Sequence, residues 1–101
     1  MIPYEARRDV YLAAIDHYGT ENQIKKAVEE MAELTKELCK LPRGTTRDRM
    51  VDEIADVTIM MEQLRLLLNV NSDVQERIDF KVSRLAQRIR GSEEHAARWI
   101  L

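Results

Sequence analysis

Two pairs of carboxylates are placed to do chemistry, Glu30-x-x-Glu33 and Glu53-x-x-Asp56. Residues three apart on a helix project to the same side, so each pair can aim two carboxylates at one place. If both segments are helices folded into an antiparallel hairpin about Arg43, residues whose numbers sum to about 86 sit level. Glu33 then faces Glu53, and Glu30 faces Asp56. Four carboxylates meeting beside an apolar face repel one another and lose hydration, and a cation relieves both costs. An all-oxygen donor set without histidine suits a hard divalent ion, Mg²⁺, with Mn²⁺ as a substitute. A ferritin-like di-iron centre wants Glu-x-x-His, whereas the residues three before His17 and His95 are Ala14 and Ser92. The plainer alternative is a solvated acidic face. It suits Glu29, which has Lys25, Lys36 and Lys40 around it, and Glu37, which Lys40 can pair. It suits Glu53 and Asp56 poorly, because they project beside Met60, Leu64 and Leu67.

A cationic stripe complements the acids. Arg77, Lys81, Arg84 and Arg88 run along the edge of the apolar row Val74, Ile78, Leu85 and Ile89, with Lys81 closest to that row. Acids that hold a metal and cations that neutralise oxygens together suit a polyphosphate. The competing expectation is that these cations pair with acids of neighbouring helices or stay solvated. Tyr4, Tyr11, Ile15 and Tyr18 form an aromatic stripe, which is either core packing or, at Tyr11 or Tyr18 with His17 nearby, a flank for a nucleobase. Gln23 is open between a helix cap and a hydrogen bond to a base edge.

The elements that must position these groups follow from apolar spacing and punctuation. A first helix is predicted over Tyr4 to about Tyr18, closed by Gly19. Thr20 with Gln23 reads as a capping box opening a second helix to about Cys39 or Lys40, ahead of Pro42 and Gly44. Thr45 or Thr46 caps a third, to about Leu68, and Ser72 with Gln75 opens a fourth, to about Arg90, ended by Gly91. The apolar arc of the second helix is Ile24, Ala27, Val28, Met31, Leu34 and Leu38. That of the third is Met50, Ile54, Val57, Met61, Leu64 and Leu68, with Ala55, Ile59 and Leu66 on its far side. Such a helix is expected to be covered by its own bundle on one side and by a partner chain on the other.

With 101 residues and 11.8 kDa, the chain is expected to be one domain, with a core over about 4–90 and a tail over 91–101. Hydrophobic residues at 45% with Gly 3 and Pro 2 favour an all-α, four-helix bundle-like chain over a many-stranded fold. So short a chain buries too little by itself, which favours a homo-oligomer. A net charge of -2 argues against a nucleic-acid partner. Cys39 is the one cysteine, so no intrachain disulfide forms. No apolar run reaches the length of a membrane span, and Met1-Ile2-Pro3-Tyr4-Glu5 lacks the features of a signal peptide, so the expected setting is the cytoplasm, away from membranes.

Glu30-Met31-Ala32-Glu33, a 19-residue gap, then Glu53-Ile54-Ala55-Asp56 resembles the ExxE…ExxD signature of the MazG-like all-α nucleoside triphosphate pyrophosphatases. Relatives of that group include dimeric dUTPases, dCTP pyrophosphatases and phosphoribosyl-ATP pyrophosphatases. Glu29, Leu34 and Val57 resemble its flanks, and Asp79-Phe80-Lys81 with Arg84 resembles its Asn-x-Lys and Arg segment, with Asp79 in place of Asn. The similarity spans about residues 20–90. It implies Mg²⁺-dependent hydrolysis of a nucleoside triphosphate between its α and β phosphates, to a monophosphate and pyrophosphate, in a house-cleaning or nucleotide-pool role. Glu30, Glu33, Glu53 and Asp56 would hold the metal, and Glu33 or Glu53 would serve the attacking water. Lys81 and Arg84 would hold phosphates, Gln23 and Asp79 would contact the substrate, and the chain would form a homodimer or a dimer of dimers. The alternatives are a non-catalytic helical oligomerisation or regulatory module that binds metal or nucleotide, and a purely structural bundle.

Overall fold

The computed structural model describes the backbone of residues 1–100 and the side chains of residues 1–92. The structure is all-helical: α1 (Tyr4–Tyr18), α2 (Thr20–Leu38), α3 (Arg47–Leu67) and α4 (Asn71–Ile100), with no strand among the described residues. The side chain of His95 lies outside the described residues. None of the described helices is long and apolar enough to cross a membrane.

The chain divides into two compact units, Met1–Asn69 and Val70–Leu101. In the first, α2 and α3 form the main packed pair, and α1 lies against both. The hairpin has the register expected from the sequence. Glu37 on α2 meets Arg49 on α3 at 3.8 Å, Glu30 and Asp56 bring carboxylate oxygens within 4.8 Å of each other, and Gln23 and Lys26 share a cavity wall with Met60 and Gln63.

The buried face differs from the expected apolar arcs by about one residue. On α2 the inward line is Gln23, Ala27, Glu30, Leu34 and Glu37, while Ile24, Val28, Met31 and Leu38 are exposed. On α3 the innermost side chains are Met60 and Gln63, while Ile54, Met61 and Leu68 are exposed. The physical reason is that small Ala27 lets the two backbones approach, and the polar neighbours in its row come inside with it. The bulkier stripe stays uncovered. Among the described residues the buried hydrophobics are Tyr11, Ala27 and Met60, joined by three buried polar side chains, Gln23, Glu37 and Gln63.

Helix ends also differ in part from expectation. Thr46 caps α3, its Oγ1 accepting from the Arg49 N–H at 3.2 Å, as the spacing predicts. Thr20 does not cap α2. It is the first helical residue, and Gly19 at φ 90° stands before it, a conformation glycine adopts without strain. Gln23 is therefore released from the capping box. α4 begins at Asn71, so Ser72 lies inside its first turn, and Gln75 donates to Asp79. Gly91 does not end α4, which continues to Ile100; inside a helix a glycine costs only about 1 kcal/mol, which long helices tolerate.

Candidate functional site

The hairpin brings three of the four expected acids together. Glu30, Glu53 and Asp56 each offer a carboxylate oxygen within 4.8 Å of the others. Oxygens on opposite sides of an octahedral Mg²⁺ lie about 4.2 Å apart, so small side-chain rotations would close this group on an ion. Glu33 is exposed and lies outside the group, although its charge acts on Glu53.

Glu53 is the strained member. Its Oε2 is buried and accepts no hydrogen bond. Burial raises its carboxyl above the ordinary glutamate range, and the charges of Asp56, Glu30, Glu33 and Glu37 push the same way. Asp56 is raised too, by burial first and then by Glu30 and Asp52, with Lys26 opposing. The donor set is carboxylate throughout, it carries an unfilled acceptor, and its charges repel, so these residues fit a hard divalent cation.

Lys26 moderates this charge. Its Nζ lies 3.0 Å from Glu30 and 3.8 Å from Glu29, and the hydrogen bond to Glu30, followed by the two charges, raises the ammonium above its usual range. Glu29 is exposed, as its lysine-rich surroundings suggest.

One helical turn from Glu30, Lys26 also lines a cavity of about 530 Å³ together with Ala14, Tyr18, Asn22, Gln23, Met60 and Gln63. Tyr18 and Gln23 thus share a wall, while Tyr11 turns out to be core, its hydroxyl donating to Glu62, which Arg7 also pairs at 3.5 Å. Burial, with help from Glu62, raises the Tyr11 phenol. His17 is exposed and meets the Tyr18 ring edge-on at 4.6 Å.

Glu37 is 5% exposed, not solvated as its pairing with Lys40 suggests. It accepts from Thr45 Oγ1 at 2.6 Å and from Lys40 Nζ at 3.3 Å, beside Arg49. The Thr45 hydrogen bond leads in holding its carboxyl below the usual range, against the pull of burial.

In the second unit, Lys81, Arg84 and Asp79 are exposed on α4. Arg77 and Arg84 lie over the Phe80 ring at 4.9 and 5.8 Å, and Asp79 accepts from Gln75 at 3.1 Å. The row beside Lys81 is not the core edge expected of it, since Ile78, Leu85 and Ile89 are exposed.

Sequence reasoning passed over Lys26 and Gln63 and took Glu37 as a solvated acid, whereas it is buried. Lys26 is four residues before Glu30, a spacing that pairs on any helix, and Glu37 is level with Arg49 in the hairpin register, so both carried a signal. Gln63 shows only in that it is level with Gln23. Comparison with protein-family models, with curated proteins and with solved structures finds no match to this chain.

Proposed function

We propose that this chain is a cytoplasmic, Mg²⁺-dependent nucleoside triphosphate pyrophosphohydrolase of the MazG-like kind, converting a nucleoside triphosphate and water to a nucleoside monophosphate and pyrophosphate. The observation that carries the reading is Glu53, whose buried Oε2 lacks a partner inside a group that also holds Glu30 and Asp56. In this reading Glu30, Glu53 and Asp56 hold the metal and Glu33 completes the set or serves the water. Bound there, the ion would supply Lewis-acid stabilisation of phosphate oxygens. Glu33, exposed and at the edge of the group, is suited to accept a proton from water. The resemblance to that family would give Lys81 and Arg84 the neutralising of phosphate charge and Asp79 a contact with the substrate, and within the first unit Gln23 with Tyr18 meets the nucleoside.

Assembly into a homodimer or a dimer of dimers belongs to the same proposal. It is supported by the uncovered stripe of Ile24, Val28, Met31, Ile54, Met61 and Leu68 on α2 and α3. A partner chain burying that stripe would add the core that a chain this short lacks.

The test is a panel of ribo- and deoxyribonucleoside triphosphates assayed for pyrophosphate release with Mg²⁺ and with Mn²⁺. Metal-dependent release from at least one member is expected; release from none overturns the enzyme. A non-catalytic module that binds metal or nucleotide is the second reading. It is favoured by the pairing of Lys26 with Glu30 and of Arg84 with Phe80, which settles part of the charge internally. Divalent-cation stabilisation without pyrophosphate release would select it.

A further inference from the structure

Lys26 stands where the acidic group meets solvent. Its Nζ lies 3.0 Å from Glu30 Oε1 and 3.8 Å from Glu29 Oε1, both within one helical turn of it along α2. The two carboxylates differ. The Glu30 side chain is 14% exposed and belongs to the group with Glu53 and Asp56, whereas that of Glu29 is 64% exposed. Lys26 also acts favourably on the Asp56 charge, against Glu30 and Asp52. Its own side chain is 49% exposed, so the head can leave Glu30 for water without opening the core.

Glu30 cannot serve this ammonium and a divalent ion at once without cost. Two cations on one carboxylate repel, and the repulsion grows with the product of their charges. The ammonium, on a flexible stem already half in water, is the cation that can give way. Two effects of opposite sign follow. Without a bound ion, Lys26 offsets part of the repulsion among Glu30, Glu53 and Asp56 and so helps hold α2 against α3. With an ion bound, its pair with Glu30 has to be broken, and that loss is subtracted from the affinity.

We propose that Lys26 is the resident counter-ion of the acidic group: it holds Glu30 while no cation is bound, is displaced when a divalent cation enters, and thereby sets the cation concentration at which the group loads. The proposal rests on the metal reading above and adds to it the residue that governs loading. An ion pair that is only structural behaves differently, since its loss would weaken the fold and metal binding together.

The test is made on the full chain without nucleotide. Mn²⁺ binding is followed by the EPR signal of the free ion, and the metal-free melting temperature is measured alongside, in the parent, Lys26→Met and Lys26→Arg. The methionine variant keeps most of the stem and removes the charge. It is expected to bind Mn²⁺ at least about fivefold more tightly, while its metal-free melting temperature falls by a few degrees. Lys26→Arg keeps the charge and is expected to stay near the parent in both. Lys26→Gln, whose carboxamide can still donate to Glu30, serves if the methionine variant does not fold, with the same directions expected. Mn²⁺ affinity equal to or weaker than that of a parent that binds, or a metal-free melting temperature at or above the parent's, overturns the proposal and leaves the metal site standing. Absence of Mn²⁺ binding in the parent and in Lys26→Met alike overturns the metal reading and this inference with it. Tighter binding by Lys26→Met in a protein that releases no pyrophosphate would support the displacement while ending the hydrolase.

Discussion

Glu53 and Glu37 belong to the same hairpin, on opposite helices, and burial raises both carboxyls, but they differ in the donors and charges around them. Glu37, near the turn, is surrounded by donors: Thr45, Lys40 and Arg49. Glu53, about one turn of the seam away from it, has one buried oxygen without a donor and four acids acting on it. One carboxyl is held below its ordinary range and the other above it. A buried acid is thus structural or available for a ligand according to the donors around it, and burial alone does not tell them apart. Glu37 closes the turn and fixes the register; Glu53 is left with an acceptor to fill.

The comparison breaks most visibly through Glu53. Glu53→Gln keeps the shape and removes a ligand charge, so hydrolysis is expected to fall by more than about a hundredfold, since even outer-shell partners of a metal are worth 10- to 100-fold. The metal-free melting temperature is expected to hold or rise, because a like-charge repulsion is gone. An active Glu53→Gln enzyme would remove the carboxylate group from the chemistry.

The same contrast between answered and unanswered charge applies on α4, where Arg84 lies over Phe80 and Lys81 makes no ion pair among the described residues. Lys81→Met is expected to slow turnover at least tenfold, roughly 1.4 kcal/mol of transition-state stabilisation, with metal affinity unchanged in the absence of nucleotide. Parental turnover by Lys81→Met would pass the phosphate role to Arg84 or Arg88.

Glu37→Gln should act on stability instead. A drop in melting temperature on the order of 5 °C is expected at neutral pH, with metal binding kept. The pH dependence has opposite signs at the two sites. Glu37, lowered in the fold, contributes stability above its unfolded pKa and loses it as pH falls through its folded value. Glu53 and Asp56, raised in the fold, favour the folded state when protonated, and that contribution is lost as pH rises through their folded values. Metal-free protein is therefore expected to be most stable on the acid side of neutrality, where Glu37 is still ionised. Glu53→Gln should flatten the rise, and a profile identical to the parent's would contradict the assignment.

Mg²⁺ at ten times its dissociation constant should stabilise the parent by about 1.4 kcal/mol at neutral pH. A thermal-denaturation titration reads this, and Glu53→Gln should abolish it. The smallest effect belongs to Glu29→Gln, exposed beside Lys26, for which both activity and melting temperature should stay at parental values.

The hairpin register was legible because the turn residues and the two acid pairs constrain it independently, and Glu30 against Asp56 follows from it. Which edge of the apolar stripe faces the neighbour was not. Periodicity shows that Ile24, Ala27, Val28 and Met31 share a side, but Ala27 and Val28 both belong to it, and only packing shows that Ala27 sits at the contact. That choice brought Gln23, Glu30 and Glu37 inside. Gln63 was invisible for a different reason, since an amide fits core, cap and surface alike and becomes informative only when its partners are known. The end of α4 was misplaced because a lone glycine is a weak stop without the left-handed conformation that makes it a cap.

Gly19 has one more consequence. It is the whole connection between α1 and α2, and Asn22 Nδ2 donates across it to the Tyr18 carbonyl at 2.9 Å. With a linker of one residue, the rotational phase of α1 about its own axis is locked to that of α2. One residue inserted there would turn α1 by about 100°, carrying Tyr11 away from Glu62 and Tyr18 off the cavity wall in a single step. Shortening or lengthening that elbow would therefore unseat a core residue and a cavity residue that are seven positions apart, although neither had been changed.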